Sequence, residues 1–430
     1  MQAALIGFAV LLVVSAAGVP IAFSMLGIGV VGFALLSDWN AAFYMAGQVA
    51  FETSQNYGLS VVPMFVLMGN FINHARLSNE LYDAANAFLG HRRGGLAMAT
   101  VVACGGFAAV SGSSVATAAT MGKVAIPSMR RFGYSDRLAA GAVAAGGTLG
   151  ILIPPSVVMV IYGIMTSTDI GKLFAAGILP GLLGILLYVA AVKYAVWRDP
   201  AAGPPGERLD WSARLVALRN VWAIAALFLL VIGGIYCGVF TPTEAAGIGA
   251  FGAFAIALWR RVLTVAVFRT ILVETVRTTA VLFSVLIGGL VFSNFINIAG
   301  LPAALSEWVG GLPISPMMVI LTIIGVYFLL GCVLESMTMI LLTIPVFFPI
   351  VQGLGFDPIW FGIIVVVVTE ISLITPPVGL NVFVISGMFR EIGTANVFRG
   401  IAPFIAADLI RILILVFVPA ISLLLPSMMK

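Results

Sequence analysis

Four short stretches hold the residues that could do chemistry. Two place adjacent prolines inside long apolar runs: "LGILIPPS", with Pro154 and Pro155, and "EISLITPPVGLN", with Pro376 and Pro377. The other two are islands of small and hydroxyl-bearing residues, "AVSGSSVATAAT" from Ala109 to Thr120 and "GCVLESMTMI" from Gly331 to Ile340. Each proline pair trails a serine of one island by 41 residues, Ser114 to Pro155 and Ser336 to Pro377. Two successive prolines remove two amide donors and release the preceding carbonyls from helical bonding. A released carbonyl in apolar surroundings is costly unless a polar group or a cation meets it. Carbonyl and hydroxyl oxygens suit a small hard cation such as Na⁺, with no need of carboxylate, imidazole or thiolate. The islands supply the complement, because a helix that starts there presents free amides to an anionic group. The chemistry read from these stretches is a carboxylate held between two opposed helix starts, with a cation beside it.

The ionisable residues inside apolar runs are Glu244, Glu335, Glu370, Asp408 and Arg411. Asp408 and Arg411, three apart, face each other on one helix and neutralise one another. Glu244 in "TPTEAAG" suits a helix cap or a transport role, and Glu335 and Glu370 suit either a proton or cation site or structural hydrogen bonds. An intramembrane enzyme would need a nucleophile and a base, yet the two histidines, His74 and His91, fall at the basic surface. No "GxxxxGK[ST]" loop is present, so ATP is not the direct driver. The three cysteines, Cys104, Cys237 and Cys332, have no metal-ligand spacing and read as packing residues.

The elements that must position these groups follow from composition. A chain of 430 residues that is 61% hydrophobic and 9% charged is a polytopic membrane protein. The runs lack the period-two alternation of an outer-membrane barrel. Crossings are expected near 3–17, 21–36, 57–75, 138–165, 173–197, 219–237, 243–259, 277–298, 360–388 and 400–426. Two further runs, 95–127 and 317–350, are expected as hairpins that enter and return. With these assignments 18 Lys and Arg residues fall on one side, while Lys172 and Lys430 fall on the other, Arg411 being within a span. The positive-inside rule then makes the rich side cytoplasmic and places both termini outside. The net charge of +4 therefore reflects topology and gives no signal for nucleic acid.

The chain is also duplicated. An offset of 222 pairs Pro20 with Pro242, Pro127 with Pro349, and the two proline pairs with each other. "NFIN" at Asn70 to Asn73 returns at Asn294 to Asn297, and "GILP" at Gly177 is answered by "GIAP" at Gly400. The seam lies in the polar segment from Trp197 to Leu215. Five crossings separate the span at 57 from its partner at 277, so the halves have opposite orientation, as in inverted-repeat secondary transporters. The repeat-equivalent segments 38–56 and 260–276 mix polar with apolar residues and are expected to lie flat at the interface. Two sealed, opposed hairpins suit alternating access better than a continuous pore.

Together, "SGSSVATAATMGKVAIPSM", "GTLGILIPPSVVMVIYG", "TPTEAA" and "TPPVGLNVFVISG" resemble the large membrane subunit of the tripartite ATP-independent periplasmic (TRAP) transporters over essentially the entire chain. The resemblance implies an all-α, inverted-repeat, elevator-type importer of organic acids such as sialic acid or C4-dicarboxylates, coupled to Na⁺ and located in the bacterial inner membrane. It implies two partners, a small four-helix membrane subunit, expected as a separate chain, and a soluble periplasmic binding protein. Carried over position by position, a first sodium site falls on Ser111, Ser114, Gly150, Ile153 and Pro155, and a second on Gly331, Ser372, Thr375 and Val378. Substrate contacts fall on Ser113, Ser114, Ser336, Thr338 and Asn381, the second tip reading "ESMTM" where the first is rich in serine. The mobile unit is expected to be 95–165 with 317–388. The scaffold is then 1–94, 166–316 with its linker 198–219, and 389–430. A binding-protein-independent dicarboxylate/sodium symporter of a related class is the alternative.

Overall fold

The structure is a computed structural model that describes every residue except Arg76, Leu312 and Lys430. Arg76 and Lys430, both counted in the charge tally, therefore lie outside the described residues. The described residues form helices and connecting turns, with no strand among them. In the first half these are α1 (Gln2–Ala16), α2 (Ile21–Leu36), α3 (Trp39–Gln55), α4 (Val61–His74), α5 (Leu77–Leu89), α6 (Gly95–Ser111), α7 (Ser114–Arg131), α8 (Asp136–Thr148), α9 (Val157–Thr166) and α10 (Ile170–Arg198). The seam carries α11 (Trp211–Asn220). Then follow α12 (Trp222–Phe228), α13 (Gly234–Tyr236), α14 (Pro242–Trp259), α15 (Val265–Ile298), α16 (Leu301–Gly310), α17 (Pro316–Gly331), α18 (Ser336–Gly353), α19 (Pro358–Ser372), α20 (Leu380–Met388), α21 (Thr394–Phe417) and α22 (Ala420–Met428).

The two hairpins are present as α6–α7 and α17–α18, with limbs of 16 to 18 residues against the roughly 15 expected. Both proline pairs break their helices as the sequence implies. The α8 chain ends at Thr148 and resumes as α9 at Val157, and α19 ends at Ser372 and resumes as α20 at Leu380. Each new start is fixed locally: the Ser156 hydroxyl accepts from the Met159 amide at 3.3 Å, and Gly379 takes a left-handed φ of +53° that side-chain-bearing residues rarely adopt.

Two expectations need correction. Ten crossings are expected, two of them broken at their proline pairs, and by length alone fewer helices qualify. Among the described residues four helices are long and apolar enough to cross alone, Ile170–Arg198, Val265–Ile298, Ser336–Gly353 and Thr394–Phe417, or six if two bent pairs each count as one. Pro–Pro breaks and glycine-rich turns divide the remaining apolar sequence into shorter helices. The flat segment 260–276 is also not a separate helix. It forms the opening turns of α15, which runs unbroken for 34 residues, or about 51 Å at 1.5 Å per residue. Its repeat mate α3 does end separately, at Gln55, before Asn56, Tyr57 and Gly58. The sequence 265–277 has no such breaker, so the helix continues.

Small residues decide how closely the halves pack. A Cβ at Gly29 of α2 would lie 2.8 Å from the Phe292 amide nitrogen of α15, so these two helices meet backbone to backbone. Large apolar side chains remain exposed on the same elements, Leu35 at 76% and Val265 at 88% among them, as a lipid-facing surface requires. Glu244 has the capping role. Its carboxylate accepts from the Thr241 amide at 2.8 Å, while the Thr241 hydroxyl accepts from the Glu244 amide at 3.3 Å.

Candidate functional site

The first tip is a tight reversal between α6 and α7. Gly112 turns the chain with φ +61°, and a Cβ there would lie 2.7 Å from the carbonyl oxygen of Pro155. Ser113 caps α7, its hydroxyl accepting from the Ala116 amide at 3.3 Å. Behind the cap, Thr117 Oγ1 donates to the Ser113 carbonyl at 2.7 Å and lies 2.8 Å from Ser111 Oγ. Broken helix 1 closes on this group at Gly150, where a Cβ would stand 2.6 Å from the Ser113 oxygen and 2.9 Å from Thr117 Oγ1. Hairpin 1 thus gathers carbonyl and hydroxyl oxygens where broken helix 1 carries Gly150, and the Pro155 carbonyl of that broken helix faces Gly112. These donors fit a small hard cation, and Thr117 joins them although sequence reasoning passed it over as one threonine among several.

The second tip meets broken helix 2 in the same manner. Gly331, at the end of α17, abuts the Cβ of Ser372. Ser372 Oγ donates to the Thr369 carbonyl at 2.6 Å and Thr375 Oγ1 to the Ile371 carbonyl at 2.7 Å. Glu335 caps α18 through the Thr338 amide at 3.5 Å. The hydroxyls of Ser336 and Thr338, 5% and 0% exposed, have no hydrogen-bond partner among the described residues. Buried hydroxyls are ordinarily paired, so the orphan at Ser336 is open to a ligand. Val378, four residues past Ile374, is 40% exposed.

Between the tips lies a cavity of about 220 Å³ lined by Ser111, Ser113, Ser114, Glu335 and Ser336, with Asn70, Asn73 and Thr278 contributed by α4 and α15. Thr338 and Asn381 do not reach it. Asn381 is wholly buried, its Nδ2 donating to Ser114 Oγ at 2.8 Å and to the Ala144 carbonyl at 3.0 Å. It ties hairpin 1 to broken helices 1 and 2, a bridge that sequence spacing did not reveal.

A second buried cluster lies behind the cavity. Arg411 Nη2 donates to Glu370 Oε2 at 2.9 Å and contacts Asp408 Oδ1 at 2.8 Å. Thr148 Oγ1 donates to Glu370 Oε1 at 2.8 Å, and Tyr188 OH to Asp408 Oδ2 at 2.7 Å. Thr148 and Glu370 stand 222 residues apart, the repeat offset itself, so this contact joins equivalent points of the two halves. Both oxygens of Glu370 are taken by protein donors. The pairing of Asp408 with Arg411 is as read from the sequence, while Tyr188 and Thr148 could be found only from the fold.

A family model described as "Tripartite ATP-independent periplasmic transporter, DctM component" matches residues 8–421. Among curated proteins, the chain is similar to the C4-dicarboxylate TRAP transporter large permease protein DctM of Pseudomonas aeruginosa, 42% identical over 379 residues that cover 88% of each chain. It is also similar to the isethionate TRAP transporter permease protein DctMQ of Oleidesulfovibrio alaskensis, 36% identical over 421 residues that cover 97% of this chain and 65% of that one. Among solved structures it resembles the YdaH transporter of Alcanivorax borkumensis, with a TM-score of 0.61 over 91% of this chain and 89% of that one. At 16% identity that likeness carries the fold alone.

Proposed function

The chain belongs to the DctM component family of tripartite ATP-independent periplasmic transporters, and we propose from that premise that it imports a small organic acid driven by inward Na⁺. It is a membrane transport protein and not an enzyme. The observation that carries the proposal is the meeting of two hairpin tips with two broken helices around one cavity, with an unpaired hydroxyl at Ser336 on its wall. One cation would be held at Ser111, Ser114, Gly150, Ile153 and Pro155, joined by Thr117. The other would be held at Gly331, Ser372, Thr375 and Val378. Bound Na⁺ supplies positive charge beside the substrate carboxylate, and the starts of α7 and α18 supply amides. Ser113, Ser114 and Ser336 are the side chains within reach of the acid, while Thr338 and Asn381 position the tips from behind.

Delivery is assigned to a periplasmic binding protein, with a small membrane subunit completing the complex in the inner membrane and both termini of this chain periplasmic. The outer face carries few Lys and Arg residues, which allows a soluble partner to dock without strong nonspecific attraction. The name DctMQ borne by the isethionate permease supports a small-subunit partner. Transport proceeds by an elevator step in which the hairpins and broken helices, 95–165 with 317–388, move as one body. The boundary drawn from sequence leaves α10 and α21 in the scaffold. Arg411 and Tyr188 argue for carrying both helices with the moving body, since separation would open two buried carboxylates to apolar surroundings.

Uptake into proteoliposomes containing the purified partners, with a panel of acids, tests the reading. Accumulation is expected under an inward Na⁺ gradient and not under K⁺ at matched pH. Equal uptake in K⁺ would count against sodium coupling, and full-rate uptake without the binding protein would favour the related symporter class.

A further inference from the structure

The repeated "NFIN" borders the cavity only through its first copy, and the two copies sit differently. In the first, Asn73 at the end of α4 accepts a hydrogen bond from Thr120 Oγ1 of hairpin 1 at 3.0 Å. One turn earlier, Gly69 faces the tip itself, where a Cβ would lie 3.1 Å from the Ser111 carbonyl. In the second copy, Ser293 and Asn297 of α15 border a cleft against Ile344, Pro345 and Phe348 of hairpin 2. Subtracting the offset of 222 places Ile344 and Phe348 at positions 122 and 126 of hairpin 1. So Gly69 of α4 faces the tip of its hairpin, whereas its counterpart Ser293 of α15 borders a stretch two to three turns along its own.

An inverted repeat whose halves differ in this way is drawn at one end of its stroke, and exchanging the two registers gives the other end. The repeat partner of Thr120 is Leu342, which has no hydroxyl to offer Asn297. We propose that the Thr120–Asn73 hydrogen bond is a one-sided latch that biases the carrier toward the state described here, with the cavity at the Asn73 end of α4. The opposite state has no equivalent bond. The proposal rests on the elevator reading.

The test uses the full chain with its partner subunits in proteoliposomes, with Cys104, Cys237 and Cys332 replaced by alanine and Val115→Cys introduced as the cavity reporter. Labelling with a membrane-impermeant thiol reagent from each face reports where the cavity opens. In Thr120→Val, labelling from the face opposite Asn73 should rise about fivefold, the population shift that one neutral hydrogen bond allows. Thr120→Ser, which keeps the hydroxyl, should match the parent. A Thr120→Val protein with the parent's labelling ratio would overturn the latch while the elevator reading stands, provided the parent switches faces between Na⁺-free and Na⁺-plus-substrate conditions. If the parent reporter is labelled from one face only in every condition, the elevator reading falls and the latch with it.

Discussion

Gly150→Ala should abolish sodium-driven uptake while leaving the protein inserted and monodisperse. The added methyl would stand 2.6 Å from the Ser113 carbonyl oxygen and 2.7 Å from its carbon, both backbone atoms of a capped turn that cannot swing aside. Overpacking of this kind costs about 1–3 kcal/mol in a well-packed interior. Here that strain falls beside Thr117 Oγ1, 2.9 Å away and among the oxygens proposed for the cation, so the hairpin tip must retreat from broken helix 1 or the turn must rearrange. Either response weakens Na⁺ binding, by roughly tenfold for each 1.4 kcal/mol lost from the bound state. Gly247→Ala on α14 is the matched control, since its Cβ would meet nothing within 4 Å and alanine favours the helix. The measurement is the Na⁺ dependence of uptake, with Na⁺-dependent thermal stabilisation of the purified protein as a readout independent of turnover. A Gly150→Ala protein with the parent's Na⁺ response would remove this position from the site. Ser114→Ala should have a smaller effect, because Asn381 can still donate to Ala144 when its serine partner is lost.

The features legible in the sequence were those written in residue type at fixed spacing. Proline pairs announce a break in any helix, and small polar islands between apolar limbs announce a turn at membrane depth, so the hairpins and broken helices could be read directly. The repeat offset then supplied the pairing of tip with break. Three things were out of reach for physical reasons. Whether a helix continues through a mildly polar segment depends on local breakers, and α15 continues where α3 stops. Side chains such as Asn381 and Tyr188 act through partners as far as 267 and 220 residues away, which no local pattern encodes. The orphan hydroxyls of Ser336 and Thr338 can be identified only once every neighbour is placed.

Arg411→Met should be strongly destabilising. The guanidinium is wholly buried between Glu370 and Asp408 and lies over the Tyr188 ring at 5.7 Å. Gly184 of α10 gives it room, since any Cβ there would collide with Nη1. A methionine fills similar volume but leaves two carboxylates with hydroxyl donors only, and breaking a buried pair in this way costs about 3–5 kcal/mol. The expected result is loss of monodisperse protein on extraction and a large fall in melting temperature. The same physics predicts the remedy. Replacing all three charges together, Arg411→Met with Glu370→Gln and Asp408→Asn, removes the uncompensated charge and keeps the hydroxyl contacts, so the triple variant should recover most of the lost stability. Recovery would show that the single variant fails through charge imbalance and not through lost volume. A single Arg411→Met protein as stable as the parent would mean that water reaches Glu370 and Asp408, and the argument for moving α10 and α21 with the broken helices would lose its basis.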